Sequence, residues 1–167
     1  MIPDIFEPPR THGFAQFQLA VLGPSFAEQD FLAVRASAAN IRGVFGPNND
    51  WPDANITCEE NLADLTRHQR EFDERVAFAY ALLDTAGDDY LGCLYIKPIK
   101  SKRVQDSRKQ LFQAQAFLWL SSMQTVLSDS TAFARLQAWV SESWPLASVA
   151  WPGRVQNWAD WKTLADI

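Results

Sequence analysis

Asp50 and Asp53 flank Trp51 in a loop, Gly43 to Asn55, that is rich in glycine, proline and asparagine yet carries Phe45 and Trp51. A carboxylate beside an aromatic wall can hold a cation or accept a proton from it. Short aspartates in such a loop also cap it through Asx turns, which is the commoner use. Tyr95 lies in a strand-like run and points either into a cleft or into the core with its hydroxyl satisfied. Cys58 falls in the first turn of an expected helix, where a thiolate is favoured, but no histidine is adjacent to act as its base. Cys93 reads as a small core residue. His12, His68 and the two cysteines show no paired spacing, so a Cys/His zinc centre is set aside and no metal is expected. No Gly-x-Ser-x-Gly elbow supports a hydrolase triad. Lys97, Lys100, Lys102, Arg103, Arg108 and Lys109 stand against Asp106 alone. That run reads as a solvated loop or as a surface for an anionic partner.

The chain that must position these groups has 167 residues, 47% hydrophobic and 21% charged, enough for one folded domain over 1–167. A net charge of −5 argues against nucleic acid as a partner. Two cysteines suit a reducing compartment. The start, Met1 to Arg10, holds acids and prolines in place of a basic, apolar leader. No apolar run approaches the roughly 18 residues of a membrane span. A cytoplasmic location away from membranes is expected.

Residues 1–13 read as an irregular arm because of their prolines. Phe14 to Leu22 reads as a strand, followed by a capping box at Ser25 and Glu28 and a helix ending by Gly43. A second capping box, Thr57 with Glu60, opens the next helix. Leu62, Leu65, Gln69 and Phe72 form its apolar side, and Asp64, Arg67, Arg70, Glu71 and Glu74 its solvated face. His68 falls on its more polar part. Three strands follow at Val76–Leu83, Tyr90–Lys97 and Gln113–Leu120. Along the third, Ala114, Ala116, Leu118 and Leu120 share one face and Gln115, Phe117 and Trp119 the other. Asp129 or Ser130 caps a helix with Phe133, Leu136 and Val140 inward. Leu146–Trp151 is a short strand, and 152–167 a Trp-rich tail with a short helix. Hairpin-like joins make the central strands antiparallel, and the crossover helix makes the last one parallel to its predecessor. The fold class is therefore α/β (α+β), a mixed, mainly antiparallel sheet with helices on both faces.

This order, together with Ile41–Pro47, Asp50–Trp51–Pro52, Glu59–Leu62 and the strand Tyr90–Ile96, resembles the GNAT N-acetyltransferase superfamily from about Phe14 to Trp151. The resemblance implies transfer of an acyl group from acetyl-CoA to an amine, on a small molecule or a peptide. It implies that the strand before the crossover helix parts from its neighbour. Leu118, Trp119 and Leu120 would then face the pantetheine arm. Ser121, Ser122, Gln124, Thr125, Ser130 and Thr131 would face the pyrophosphate, near a helix N-terminus. Asp50, Trp51 and Tyr95 would lie on the substrate side. No residue is assigned as acid or base, because no tyrosine follows Tyr95.

The chain departs from the superfamily's loop at two positions. Leu127 stands where glycine is usual and would crowd the phosphates, and Asp129 would add a like charge. A non-catalytic protein that keeps the fold is therefore the alternative function. The sixteen residues after Trp151 leave no room for a final hairpin. The tail, the Gly43–Asn55 loop or a second subunit is expected to complete the acceptor side. Trp139, Trp144, Trp151, Trp158 and Trp161 either glue the C-terminal region to the sheet or form a homodimer seam.

Overall fold

In the computed structural model, which describes residues 1–103 and 105–165, β1 (Thr11–Gly13) and β2 (Gln18–Val21) lead into α1 (Ala27–Ile41) and α2 (Cys58–Asp73). Then come β3 (Phe78–Leu83), β4 (Tyr90–Lys97), α3 (Ser107–Leu111) and β5 (Ala114–Leu120). α4 (Asp129–Ser143), β6 (Val149–Ala150) and α5 (Trp158–Thr163) complete the chain. One six-stranded sheet runs in the order β1 to β6. Every neighbouring pair is antiparallel except β5 and β6, which are parallel. The arm expected to be irregular through residue 13 thus ends in a strand, Thr11 opposite Ala20.

Both faces of the sheet are covered, which is why β3 is buried along its whole length. On one face α4 sends Leu136, Trp139 and Val140 onto Tyr80, Leu94, Ala116 and Leu118. On the other, Val34 of α1 and Leu65 of α2 pack over Ala79, Cys93, Tyr95, Phe117 and Trp119. The expected alternation along β5 is realised, with Ala114, Ala116 and Leu118 beneath α4 and Phe117 and Trp119 on the opposite side.

α2 starts as its sequence requires. The Thr57 hydroxyl accepts from Glu60 N, and the Glu60 carboxylate accepts from Thr57 N at 2.8 Å. The Ser25–Glu28 box does not form. Pro24 opens a 3-10 turn closed by Phe26 N to Gly23 O, so Ser25 lies inside that turn and Phe26 enters α1 without a side-chain cap. α4 is capped by Ser128, one residue before the expected position, through Thr131 N at 3.2 Å.

A bulge in β4 shapes the centre of the sheet. Leu82 pairs with Gly92 and Leu83 with Tyr90, leaving Leu91 as the extra residue. Gly92 has a φ of 153°, and a Cβ there would sit 2.1 Å from Trp119 O. The bulge brings Tyr90 and Cys93, three residues apart, to the same face, with Oη and Sγ 2.8 Å apart.

The basic run is folded. The Asp106 side chain is fully buried and clamps Arg108 at 2.9 and 2.6 Å, and Arg108 lies over the Trp161 ring. Trp139, Trp144, Trp151 and Trp161 are all buried within the chain's own packing. Trp158, the fifth of the C-terminal tryptophans, is half-buried. Among the described residues no helix is long and apolar enough to cross a membrane.

Candidate functional site

β5 and β6 pair only at Ala114–Val149 and Gln115–Ala150. Past that point the chain leaves β5. Trp151 N donates to Gln156 Oε1 at 2.7 Å, and Gly153 N to Gln156 O at 2.7 Å. Gly153 is required at this turn, because its φ is 80° and a Cβ would press 2.8 Å against the Trp158 indole nitrogen. Turning back at 152–156 leaves one edge of β5 without a strand partner from residue 116 onward. A cleft of about 460 Å³ opens beside it, bordered by Leu118, Trp119, Leu120, Asp129, Gly153 and Trp158.

A side chain spans this cleft. Arg154 donates to both oxygens of Asp129 at 2.8 Å and, through Nη2, to Leu118 O at 3.2 Å, while its guanidinium stacks on Phe133 at 5.0 Å. Arg154 holds the Asp129 carboxyl below its usual range. The open backbone edge of β5 is therefore joined to the first residue of α4 by an ion pair with a water-facing carboxylate. Surface pairs of this kind contribute at most about 1 kcal/mol and can be displaced.

The sequence-assigned cofactor residues are only partly brought together. Leu118, Trp119 and Leu120 line the cleft, and Ser130 and Thr131 sit in the α4 first turn beside Asp129. Ser121, Gln124 and Thr125 border a separate depression with Tyr90 and Leu32. Ser122 is tied to α1, its amide donating to Ser37 Oγ at 2.8 Å and its hydroxyl to Ala36 O at 3.0 Å. Leu127 does not crowd the helix start. It is 4% exposed and belongs to the core beneath α4, and its amide donates to Gln124 Oε1.

A second hollow, about 520 Å³, lies over the paired half of β4 and β5 and shares Phe117 and Trp158 with the cleft. The Gly43–Asn55 loop contributes Phe45 and Trp51, and the tail contributes Trp158 and Trp161. Of the residues assigned to the substrate side, Trp51 and Tyr95 both line this hollow, whereas Asp50 is exposed and outside it. Asp53 makes an Asx turn, accepting from Asn55 N at 2.7 Å. Tyr95 Oη accepts from Trp119 Nε1 at 3.1 Å, and burial pushes its phenol well above the ordinary value.

The chemistry in this hollow comes from residues that sequence reading placed elsewhere. Asp64, Arg67, His68 and Glu71 follow the i, i+3, i+4, i+7 spacing of one helix face, and all four line it. Only Arg70 and Glu74 of the expected solvated face are exposed. Arg67 bonds Asp64 at 3.1 Å and Glu71 at 3.2 Å. His68 is buried, and burial, with Arg67 next, pushes it down to about 3. It is neutral near pH 7, so its 3.7 Å approach to Glu71 is not an ion pair. Lys97, the last residue of β4, places Nζ 4.3 Å from the Phe45 ring centre, 5.0 Å from Tyr95 and 5.9 Å from Phe117. Burial, with Arg67 next, pulls it down to about 8. Asp30 also lines the hollow, where it accepts from Tyr90 Oη, and burial raises its carboxyl.

Solved structures that share this fold at low sequence identity include acetyltransferases. The ribosomal-protein-S5-alanine acetyltransferase from Vibrio fischeri superposes with a TM-score of 0.55 at 13% identity, over 80% of this chain and 68% of its own. RimL, the ribosomal L7/L12 alpha-N-protein acetyltransferase, solved with coenzyme A, gives 0.55 at 14% over 78% and 67%. MccE, the Microcin C7 self immunity acetyltransferase solved with acetyl-CoA and AMP, gives 0.54 at 11% over 77% and 63%. No protein-family profile matches the sequence, and no curated protein matches it. The chain has the GNAT acyltransferase fold.

Proposed function

We propose that this protein is an acetyl-CoA-dependent N-acetyltransferase whose acyl carrier docks along the open edge of β5. The observation that carries this is the pairing of β5 with β6 over two residues and its release thereafter. Two of the structural neighbours were solved with coenzyme A or acetyl-CoA, which supports the same reading.

The fit of the carrier can be judged from the residues present. An unpaired strand edge offers backbone donors and acceptors to an amide-bearing arm. The start of α4 offers amides and a favourable dipole to phosphates. Leu127 leaves that approach clear, since its side chain is in the core. Asp129 opposes an anion, and Arg154, already beside it, can neutralise the pair's site once it turns from Leu118. Bound acetyl-CoA would supply the activated acyl group. The chain's own residues then do the remaining work. Phe117 and Trp158 separate the carrier cleft from the acceptor hollow. Asp64 and Glu71 place negative charge where an acceptor ammonium would enter. The aromatic walls exclude water and orient the acceptor, from which much of an acyl transfer's rate arises.

The alternative, a non-catalytic protein on this fold, draws on one feature, the Arg154 bridge over the cleft. Thermal unfolding separates the two. Acetyl-CoA at about a hundred times its dissociation constant stabilises a binding protein by about 2.7 kcal/mol, which raises Tm by several degrees at this size. Release of coenzyme A in the presence of small and peptide amines then reports turnover. A melting curve unmoved by millimolar acetyl-CoA would leave the non-catalytic reading.

A further inference from the structure

The charges around the acceptor hollow do not all cancel. Arg67 is satisfied by Asp64 and Glu71, and Arg108 by Asp106. His68 is neutral. Lys97 has three aromatic rings around its ammonium and, among the described residues, no carboxylate within ion-pair distance. Lys100 lies on the same side of the hollow. A half-buried ammonium without a counter-charge is costly, and ring faces return about 0.5–2 kcal/mol of that cost. An apolar side chain would fill the same space without the penalty.

The hollow is also polarised. Lys97 and Lys100 come from β4 and the segment after it, while α2 presents Asp64 and Glu71, two carboxylates against the one guanidinium of Arg67. A simple amine drawn to the carboxylates would be repelled by Lys97, and a polyamine more so. A molecule with an ammonium at one end and an acid at the other satisfies both walls. We propose that the acceptor is an amine that also carries a carboxylate or a phosphate, and that Lys97 Nζ receives the anion. This rests on the acyl-transfer reading above for the word acceptor, but the binding claim stands on the hollow alone. It makes Lys97 a specificity-determining group within a cage set by Phe45, Tyr95 and Phe117.

The test is made without acetyl-CoA, so that failure of the carrier cleft and failure of the anion site show separately. Tm is measured with millimolar 4-aminobutyrate, its neutral amide, phosphoethanolamine and putrescine. The acidic probes are expected to raise Tm, while the amide and putrescine leave it unchanged. Whichever acidic probe shifts more identifies carboxylate or phosphate as the natural group. Lys97→Met should weaken the acidic probes about tenfold or more while folding at least as well as wild type, and Lys97→Arg should retain them. Equal binding of the amide, undiminished binding to Lys97→Met, or no shift with either acidic probe would overturn the proposal. Should Lys97→Met fold poorly, Lys97→Arg together with the acid–amide pair on wild type still decides it.

Discussion

The two faces of the sheet bury aromatic side chains for opposite purposes. Beneath α4, Tyr80, Trp139 and Trp144 pack edge to face with ring centres 5.6–6.3 Å apart, Phe78 tilts against Trp144 at 5.0 Å, and the surroundings are almost wholly apolar. The Trp144 indole N–H there is buried and finds no partner among the described residues. Under α1 and α2 the rings of Phe45, Tyr95 and Phe117 enclose Lys97, and Trp119 spends its N–H on Tyr95. One face uses aromatic area to hold the domain together. The other uses it as a low-dielectric lining for titratable groups, which is the environment that makes charge selective. The same strands thus carry an apolar core on one side and titratable groups lined by rings on the other, with β4 and β5 contributing alternate residues to each.

The comparison can be broken first on its structural side. Leu136 is completely buried under α4, and Leu136→Ala should cost about 2–5 kcal/mol in denaturant unfolding while probe binding in the hollow is unaffected. A loss of ligand affinity matching the loss of stability would show that the faces are not independent.

The next effect is a pH dependence. His68 is held at about 3 in the fold against an ordinary 6.5, so the unfolded chain takes up the proton first. Stability is full above pH 6.5 and falls as pH drops toward 3, by a few kcal/mol in the limit. His68→Gln should flatten the stability curve between pH 6.5 and about 4. Carboxylates held low, such as Asp106 and Asp129, lose their contribution only at lower pH. An unchanged profile in the variant would place the acid-sensitive group elsewhere.

Smaller is the effect at the start of α4. Asp129→Asn removes a carboxylate from the α4 end of the cleft and frees Arg154. Acetyl-CoA affinity measured by calorimetry should rise several-fold, in line with about 1 kcal/mol at a helix terminus. Weaker binding would mean that Asp129 and Arg154 act together on the ligand.

The smallest change sharpens the contrast between the two indoles. Trp144→Phe loses buried ring volume and an N–H with no partner among the described residues, so its cost should be packing alone. Trp119→Phe deletes a satisfied donor and should cost more by thermal unfolding.

Elements governed by local signals were legible in the sequence. β4 spans the expected Tyr90–Lys97, and the Thr57–Glu60 box opens α2. Where neighbouring signals compete, the reading slipped. Pro24 overrode Ser25 by imposing a 3-10 turn, and Ser128 took the cap from the acids and serines beside it. The hollow was hardest to see because its lining comes from far along the chain. Asp64, Arg67 and Glu71 look like a plain solvated face, yet they line the same hollow as Trp158 and Trp161. Lys97 looks like the first member of a charged loop until Phe45, fifty-two residues earlier, folds against it. Leu127 read as a loop residue in the wrong place, yet it is core, because Gln124 pins its backbone at the surface and turns its side chain inward.

The central claim is that the edge of β5 released by β6 is a docking edge. Leu118 O faces the cleft, since Arg154 reaches it there, and in a strand the amide of the same residue faces the same way, as does that of Leu120. Amide hydrogen exchange with and without acetyl-CoA tests this most directly. Slowed exchange at Leu118 and Leu120, with little change at Phe117 and Trp119, is the expected result; binding that leaves those two amides as fast as before would contradict the account.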